Sequence, residues 1–571
     1  MTSRGISIQY ELSLQSTADS TGFFAAEPAA PISIEEGLEV LRDCPNDSFL
    51  HAHLLSIIGT FPLEQVKDLL EGTQKSDRIL RALLLEAALT YAHLFALKNR
   101  FTQQAAKSLT GYSPSILIRS FYRPDQSLHR SWAEVFHANL FCHRPLSPPE
   151  KIGLSFPVKG ASAEEKPLSG GAHLKDVVER LPVGRKAKGP TPPTLMETIT
   201  TAEKRLDALD LFEGPEMRHQ SSLSPFALMR KWRFSHRIDT GKLHYSISSV
   251  QTSYGRGLSL ESARASCLME VVERCSAFVS VEEMGLLGTR RSHPLIHGSL
   301  SDLLKDGYPM LDPNDLSLEV PYQDEPLYWM EGEQLTRDGF KAVWVPVQCV
   351  FLFCNLDERS LFSGLGSTGL ASGNRVEEAR LSALYEVLER DSEAVNPYHP
   401  SRCFRIYATG ERMKGLFEDY QMRGIHVFFQ DTSPAYGMPC CTCFVTHRDG
   451  TVAKGGGVNL DGKRAVLSAL TEVPYPYPAG PPSLPAPPNL PWLAFEALPD
   501  FSTGIPLQDL KLVEETLFSN GYSPIYVDIA RKDLDFPVVK ALVPGCEMMA
   551  DFDAYSRIPS RLFSNYLKIH G

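Results

Sequence analysis

The sequence predicts an α/β (α+β) protein with a mainly helical N-terminal domain over residues 1–142 and a larger domain over 194–571, where helices and strands alternate about a central sheet. Three observations predict this. Apolar residues recur at helical spacing from residue 34 to about 140. A proline-rich stretch over 143–193 then reads as a linker. Beyond it, a helix pattern at 196–211 gives way to strand-like runs at 244–250, 342–353 and 425–430.

Each element has a local reason. Ser33 is placed to cap a helix whose first turn holds Glu35 and Glu36, where the dipole favours acids. Residues 63–70 and 78–96 continue the helical spacing without a clean repeat. The apolar run 79–97 is broken by Arg81, Glu86 and His93, so it reads as a buried helix and not a membrane span. The linker contains a short helix at 174–181 and a basic patch, Arg185, Lys186 and Lys188, read as solvated charge. A second proline-rich stretch, 474–491 (PYPYPAGPPSLPAPPNLP), blocks both helix and sheet. A helix at 507–520 and strands at 524–529 and 538–543 follow it, which makes it an internal loop.

Composition narrows the function. A chain of 571 residues exceeds one ordinary core. Net charge is -11, which argues against nucleic acid and anionic membranes as partners. Residues 1–15 do not read as a signal peptide, and a cytoplasmic setting is expected. Eleven cysteines without a secretion signal point to free thiols. Cys440, Cys441 and Cys443 lie in a strand pattern and read as packing residues, not metal ligands. His399, His447 and His570 have no partners at metal or triad spacing, and no local feature activates Cys403 or Cys546.

The most informative feature is an internal near-repeat. Residues 262–274 read SARASCLMEVVER and 378–390 read EARLSALYEVLER. Both contain Ser-x-x-x-Glu-x-x-Glu-Arg: Ser266, Glu270, Glu273 and Arg274, then Ser382, Glu386, Glu389 and Arg390. On a helix these offsets share one face, and the remaining positions are mostly apolar, so the helices are expected to be buried. Local Glu–Arg pairing would explain one copy, since such pairs are common. Two aligned copies favour four convergent carboxylates, which suit Mg²⁺ with phosphate oxygens completing its shell. The arginines and serines would then hold phosphate oxygens. Each copy follows a segment read as a Gly-containing polar turn, 248–257 (SSVQTSYGRG) and 364–374 (GLGSTGLASGN), whose N–H groups could approach an anion. A truncated third relative, 464–473 (RAVLSALTEV), repeats Ser468 and Glu472 before Pro474 ends it.

In this order, closed by PVVKALVPGCE at 537–547, these motifs resemble the YcaO superfamily over roughly residues 194–571. The resemblance implies a YcaO-type fold that binds ATP and Mg²⁺ and directs a nucleophile onto a peptide amide. The amide oxygen is phosphorylated and leaves as phosphate, giving an azoline or a thioamide. It places Glu270, Glu273, Glu386 and Glu389 on Mg²⁺ and the phosphates; the truncated third helix independently offers Glu472 at its end as a further carboxylate. Arg256, Ser266, Arg274, Ser382 and Arg390 would support the nucleotide. The implied partners are a peptide or protein substrate and a sulfur-donating or accessory protein, with a homodimer as an open option. Two departures stand out. Where many relatives continue the third helix with Gln-x-x-x-Arg, this chain has 474–479 (PYPYPA). Where azoline-forming relatives often end in Pro-x-Pro-x-Pro, it reads 567–571 (LKIHG). This leaves open thioamidation, a role in β-methylthiolation of a ribosomal protein, or a catalytically silent scaffold that presents a peptide to a partner enzyme.

Overall fold

The computed structural model describes residues 7–15, 23–158, 171–181 and 193–570, save positions 241, 365, 549–551 and 554. The patch Arg185, Lys186 and Lys188 lies outside the described residues. Those described form a mixed α/β molecule with three sheets.

The N-terminal region is helical where the sequence predicts it. Ser33 and Glu36 form a reciprocal capping box at the start of Ile34–Asp43. Ser48–Gly59 and Arg78–Thr90 are capped by Asp47 and Asp77. Arg78–Thr90 is buried over most of its length, and its Glu86 carboxylate is satisfied by His51, Ser113 and Ser115. One feature was not expected. Ile8–Gln15 and Phe23–Pro28 are paired strands, and the first runs parallel to His244–Gly257, with Tyr10 opposite Ile247. Ile8, Tyr10 and Leu12 alternate in sequence and all point into the core. A single apolar cluster takes in Tyr10, Leu83 and Leu85 together with Ile247, Leu268, Trp329 and Val345.

The largest sheet is built on a long hairpin, Phe226–Asp239 against His244–Gly257. The segment SSVQTSYGRG is therefore strand and not turn, a correction with a packing reason. A Cβ on Gly255 would stand 2.0 Å from the Ala263 carbonyl and 2.3 Å from the Cys267 nitrogen. Serine and glycine flatten this strand so that the first acidic helix, Leu260–Ala277, can lie directly on it. The same device recurs in a second sheet, on Val452–Val458. Cβ atoms on Gly455 and Gly457 would strike the backbone of the third helix, Gly462–Glu472, at 2.5 and 2.1 Å. A Cβ on Gly456, pointing the other way, would stand 2.8 Å from Glu389 of the second acidic helix, Val376–Val395.

A further sheet positions the two acidic helices. Its edge strand Leu370–Ser372, read within a turn, pairs with Val538–Leu542, placing Leu370 opposite Lys540. The first helix packs its Leu268 and Val271 with Val538 and Leu542 on one face. The second packs Ala383 and Val387 with Val539 and Ala541 on the other. The proline-rich stretch 474–491 lies in the domain without helix or strand, tied down by Ser483 and Leu484 to Gly424 and Thr446. Among the described residues, no helix is long and apolar enough to cross a membrane.

Candidate functional site

The three Ser-x-x-x-Glu segments are helical, and their acidic ends meet in one cleft. From the first helix, the Glu270 carboxylate accepts the Tyr254 N–H at 3.0 Å, which fixes it against the glycine-rich strand. Arg274 lies 3.7 Å from Glu270 and 3.6 Å from Glu273. On the second helix, Arg390 stands 3.6 Å from Glu389 and 3.0 Å from Glu393. Glu472, at the end of the third helix, lies 3.4 Å from Arg256, the next-to-last residue of the hairpin strand.

Contrary to expectation, these groups are not sealed in the core. Side-chain exposure is 27% for Glu270, 16% for Glu273, 11% for Glu389 and 34% for Glu472, so they line a recess open to solvent. Protein still surrounds them enough to disfavour charge. Burial pushes the Glu273 carboxyl well above its ordinary value, and Glu386 and Glu270 raise it further. Burial does the same to Glu389, reinforced by Glu472, Glu393 and Glu386. Glu270, Glu386 and Glu472 are also raised, chiefly by burial. The stripes therefore converge across helices while each arginine pairs mainly within its own.

Ser266 and Ser382 do not join the cluster. Both are exposed, one turn before Glu270 and Glu386, at the solvent side of their helices. Two members were not foreseen. Glu393 continues the second stripe at the same helical face. Lys540 projects from the strand Val538–Leu542, is 1% exposed, and has Glu386, Glu273 and Arg274 as charged neighbours. Burial lowers its pKa to about 8. Its sequence signal was a lone lysine in the apolar run 538–543.

The charge balance shows what the cleft can hold. Six carboxylates (Glu270, Glu273, Glu386, Glu389, Glu393 and Glu472) face four cations (Arg256, Arg274, Arg390 and Lys540). Fully ionised, the site lacks two positive charges. Arg256 Nε is in addition buried without a hydrogen-bond partner. A hard, oxygen-only donor set fits Mg²⁺. No three His, Cys, Asp or Glu side chains among the described residues form a ready-made metal cage.

All eleven cysteines are unpaired. Burial pushes the Cys403 thiol to about 12 and Cys546 well above its ordinary value, which holds both protonated. A separate cavity of about 460 Å³, lined by Arg402, Cys403, Asp431, Cys441 and Val466, adjoins the start of the third helix, the end opposite Glu472.

Comparison with known proteins gives a family match over these segments. The model of the YcaO cyclodehydratase family, described as ATP- and Mg²⁺-binding, matches residues 254–475, a span that includes all three helices. An uncharacterized protein of Methanothermobacter thermautotrophicus is 30% identical over 339 residues, covering 53% of this chain and 83% of that relative. Among solved structures, a heterocyclase in complex with substrate and cofactor is 19% identical with a TM-score of 0.47, over 66% of this chain and 56% of that one. The YcaO of Methanopyrus kandleri bound with AMPPCP and Mg²⁺ is 22% identical with a TM-score of 0.43, over 62% of this chain and 91% of that one. This chain thus spans just over half the length of the heterocyclase. The family model, spanning the three helices of this α/β chain, defines a nucleotide-binding protein. The chain belongs to the YcaO family of ATP-dependent enzymes, and ATP and Mg²⁺ are its cofactors.

Proposed function

We propose that this protein spends ATP on the backbone amide of a peptide or protein substrate. Bound ATP supplies the phosphoryl group that turns an amide oxygen, a poor leaving group, into a good one. Glu270, Glu273, Glu386 and Glu389, with Glu472, hold Mg²⁺ against the phosphates. Arg256, Arg274 and Arg390 neutralise phosphate charge and orient the nucleotide. The product is an azoline or a thioamide, or the activation supports sulfur modification of a ribosomal protein. The free thiols suit a cytoplasmic setting, and the high pKa of Cys403 and Cys546 favours a separate sulfur-donating or accessory protein over an internal relay.

One observation supports this reading above the others: a solvent-open cleft with two more carboxylates than cations. The test is in two stages. Mg·ATP should raise the melting temperature of wild type and leave the Glu270→Gln/Glu386→Gln double variant unmoved. Mass spectrometry of candidate peptides then reads the chemistry. A loss of about 18 mass units marks an azoline and a gain of about 16 a thioamide, since both follow from amide activation.

A second reading is a silent YcaO-fold scaffold that presents a peptide to a partner enzyme. It is favoured by the local pairing of Arg274 and Arg390 with glutamates of their own helices. Absence of any Mg·ATP effect on wild type would select it.

A further inference from the structure

The cation at the floor of the cleft is the feature the cluster does not explain. Arg256, Arg274 and Arg390 each have a carboxylate within 3.7 Å. Lys540 does not. Among the described residues, no carboxylate approaches its ammonium within 4.0 Å, although Glu386 and Glu273 are its charged neighbours. The residue is 1% exposed, on a strand whose neighbours Val539, Ala541 and Leu542 are fully packed. Strand alternation sets Lys540 on the face of Val538 and Leu542, the face against the first acidic helix. An ammonium so placed has three donors to satisfy, and leaving them unmet is costly. Evolution of a mere counter-charge would close a direct ion pair with one glutamate. The pair left unclosed makes an anion from outside the chain a fitting partner for the ammonium.

We infer that Lys540 contacts the nucleotide, donating from the floor of the cleft to phosphate oxygens while the glutamates hold Mg²⁺ from the helices. The inference rests on the ATP-binding reading above and adds a residue to it. A lysine ammonium is a compact point charge, suited to phosphate oxygens that also bind Mg²⁺.

The alternative role, a counter-charge for the carboxylates, predicts the opposite sign, and calorimetric titration separates the two. For Lys540→Met, similar in length and apolar, affinity for Mg·ATP should fall about 10- to 100-fold, the usual effect of losing a charged hydrogen bond. Mg²⁺ titrated alone should bind as in wild type or more tightly, because one repelling cation is gone. Lys540→Arg should recover part of the Mg·ATP affinity. Unchanged or tighter Mg·ATP binding by Lys540→Met would overturn the inference. If that variant fails to fold, Lys540→Gln, with a polar tip, is read in the same way. Failure of both to fold would make Lys540 a structural counter-charge and also overturn it. Wild type that binds no Mg·ATP would instead sink the underlying functional reading.

Discussion

Glu273 and Glu386 come from helices more than a hundred residues apart, yet both are raised by burial, and Glu386 further disfavours ionisation of Glu273. Such a group binds its proton more tightly folded than unfolded. Its contribution to stability is therefore complete below the ordinary carboxyl value of 4.5 and is lost as pH rises through the raised folded value. Glu273→Gln removes the ionising group and keeps the shape. The ligand-free variant should be more stable than wild type by on the order of 1 kcal/mol at pH 8. The gap in melting temperature should narrow toward pH 5, and the Mg·ATP-induced rise should shrink. A gap that does not depend on pH would show that Glu273 is not strained by its neighbours. At this scale the sequence was informative where the pattern is local. Offsets of four, seven and eight identify the acidic stripe without any tertiary knowledge. Glu393 lies at offset eleven on the same face, but comparison of the two copies hides it because the first has Ala277 there. Lys540 was hidden for another reason: its neighbours arrive from two distant helices.

The repeating element is a glycine-bearing strand followed by an acidic helix, and the glycines set the depth of the cleft. At Gly255 the two nearest atoms a Cβ would meet are backbone, which cannot swing aside. Gly255→Ala should cost about 2 kcal/mol or more, since relief requires the first acidic helix to move off its strand. Mg·ATP binding should weaken with it, because Glu270 is tied to that strand through the Tyr254 N–H. Gly415 is the matched control. It lies inside the helix Glu411–Met422 with no atom within 4 Å of an added Cβ. Gly415→Ala should stabilise the chain by about 0.5–1 kcal/mol and leave nucleotide binding alone. Equal effects at the two sites, measured by denaturant melts, would remove the packing argument. The contrast also explains why SSVQTSYGRG misleads when read alone. Serine and glycine ordinarily signal a turn, and here they mark a strand on which a helix must lie closely. The helices themselves were legible because their periodicity and caps are local, as at Ser33.

At the scale of the whole molecule, burial decides which thiols react. Cys142 is exposed, Cys354 is partly covered, and the other nine are buried. A native thiol titration should therefore show one fast-reacting group, lost in Cys142→Ser, with the remainder appearing on denaturation. The N-terminal region poses the larger question. Its helices were readable from sequence, but the strand pair that precedes them was not, because Ile8–Gln15 owes its place to a parallel partner more than two hundred residues away. That pairing, with the shared apolar cluster of Tyr10, Leu83, Ile247 and Leu268, makes the described N-terminal residues part of the surface on which the first acidic helix rests. Tyr10 also packs edge-on against Tyr245 and Phe49, joining strand, hairpin and helix at one point. Removing these residues would expose the apolar underside of the long hairpin, and a chain starting at residue 194 should lose its cooperative thermal transition and its Mg·ATP response together. Full-length protein should melt in one calorimetric transition that Mg·ATP shifts as a unit. Two transitions, only the upper one sensitive to nucleotide, would mean instead that the N-terminal helices fold apart from the site they adjoin.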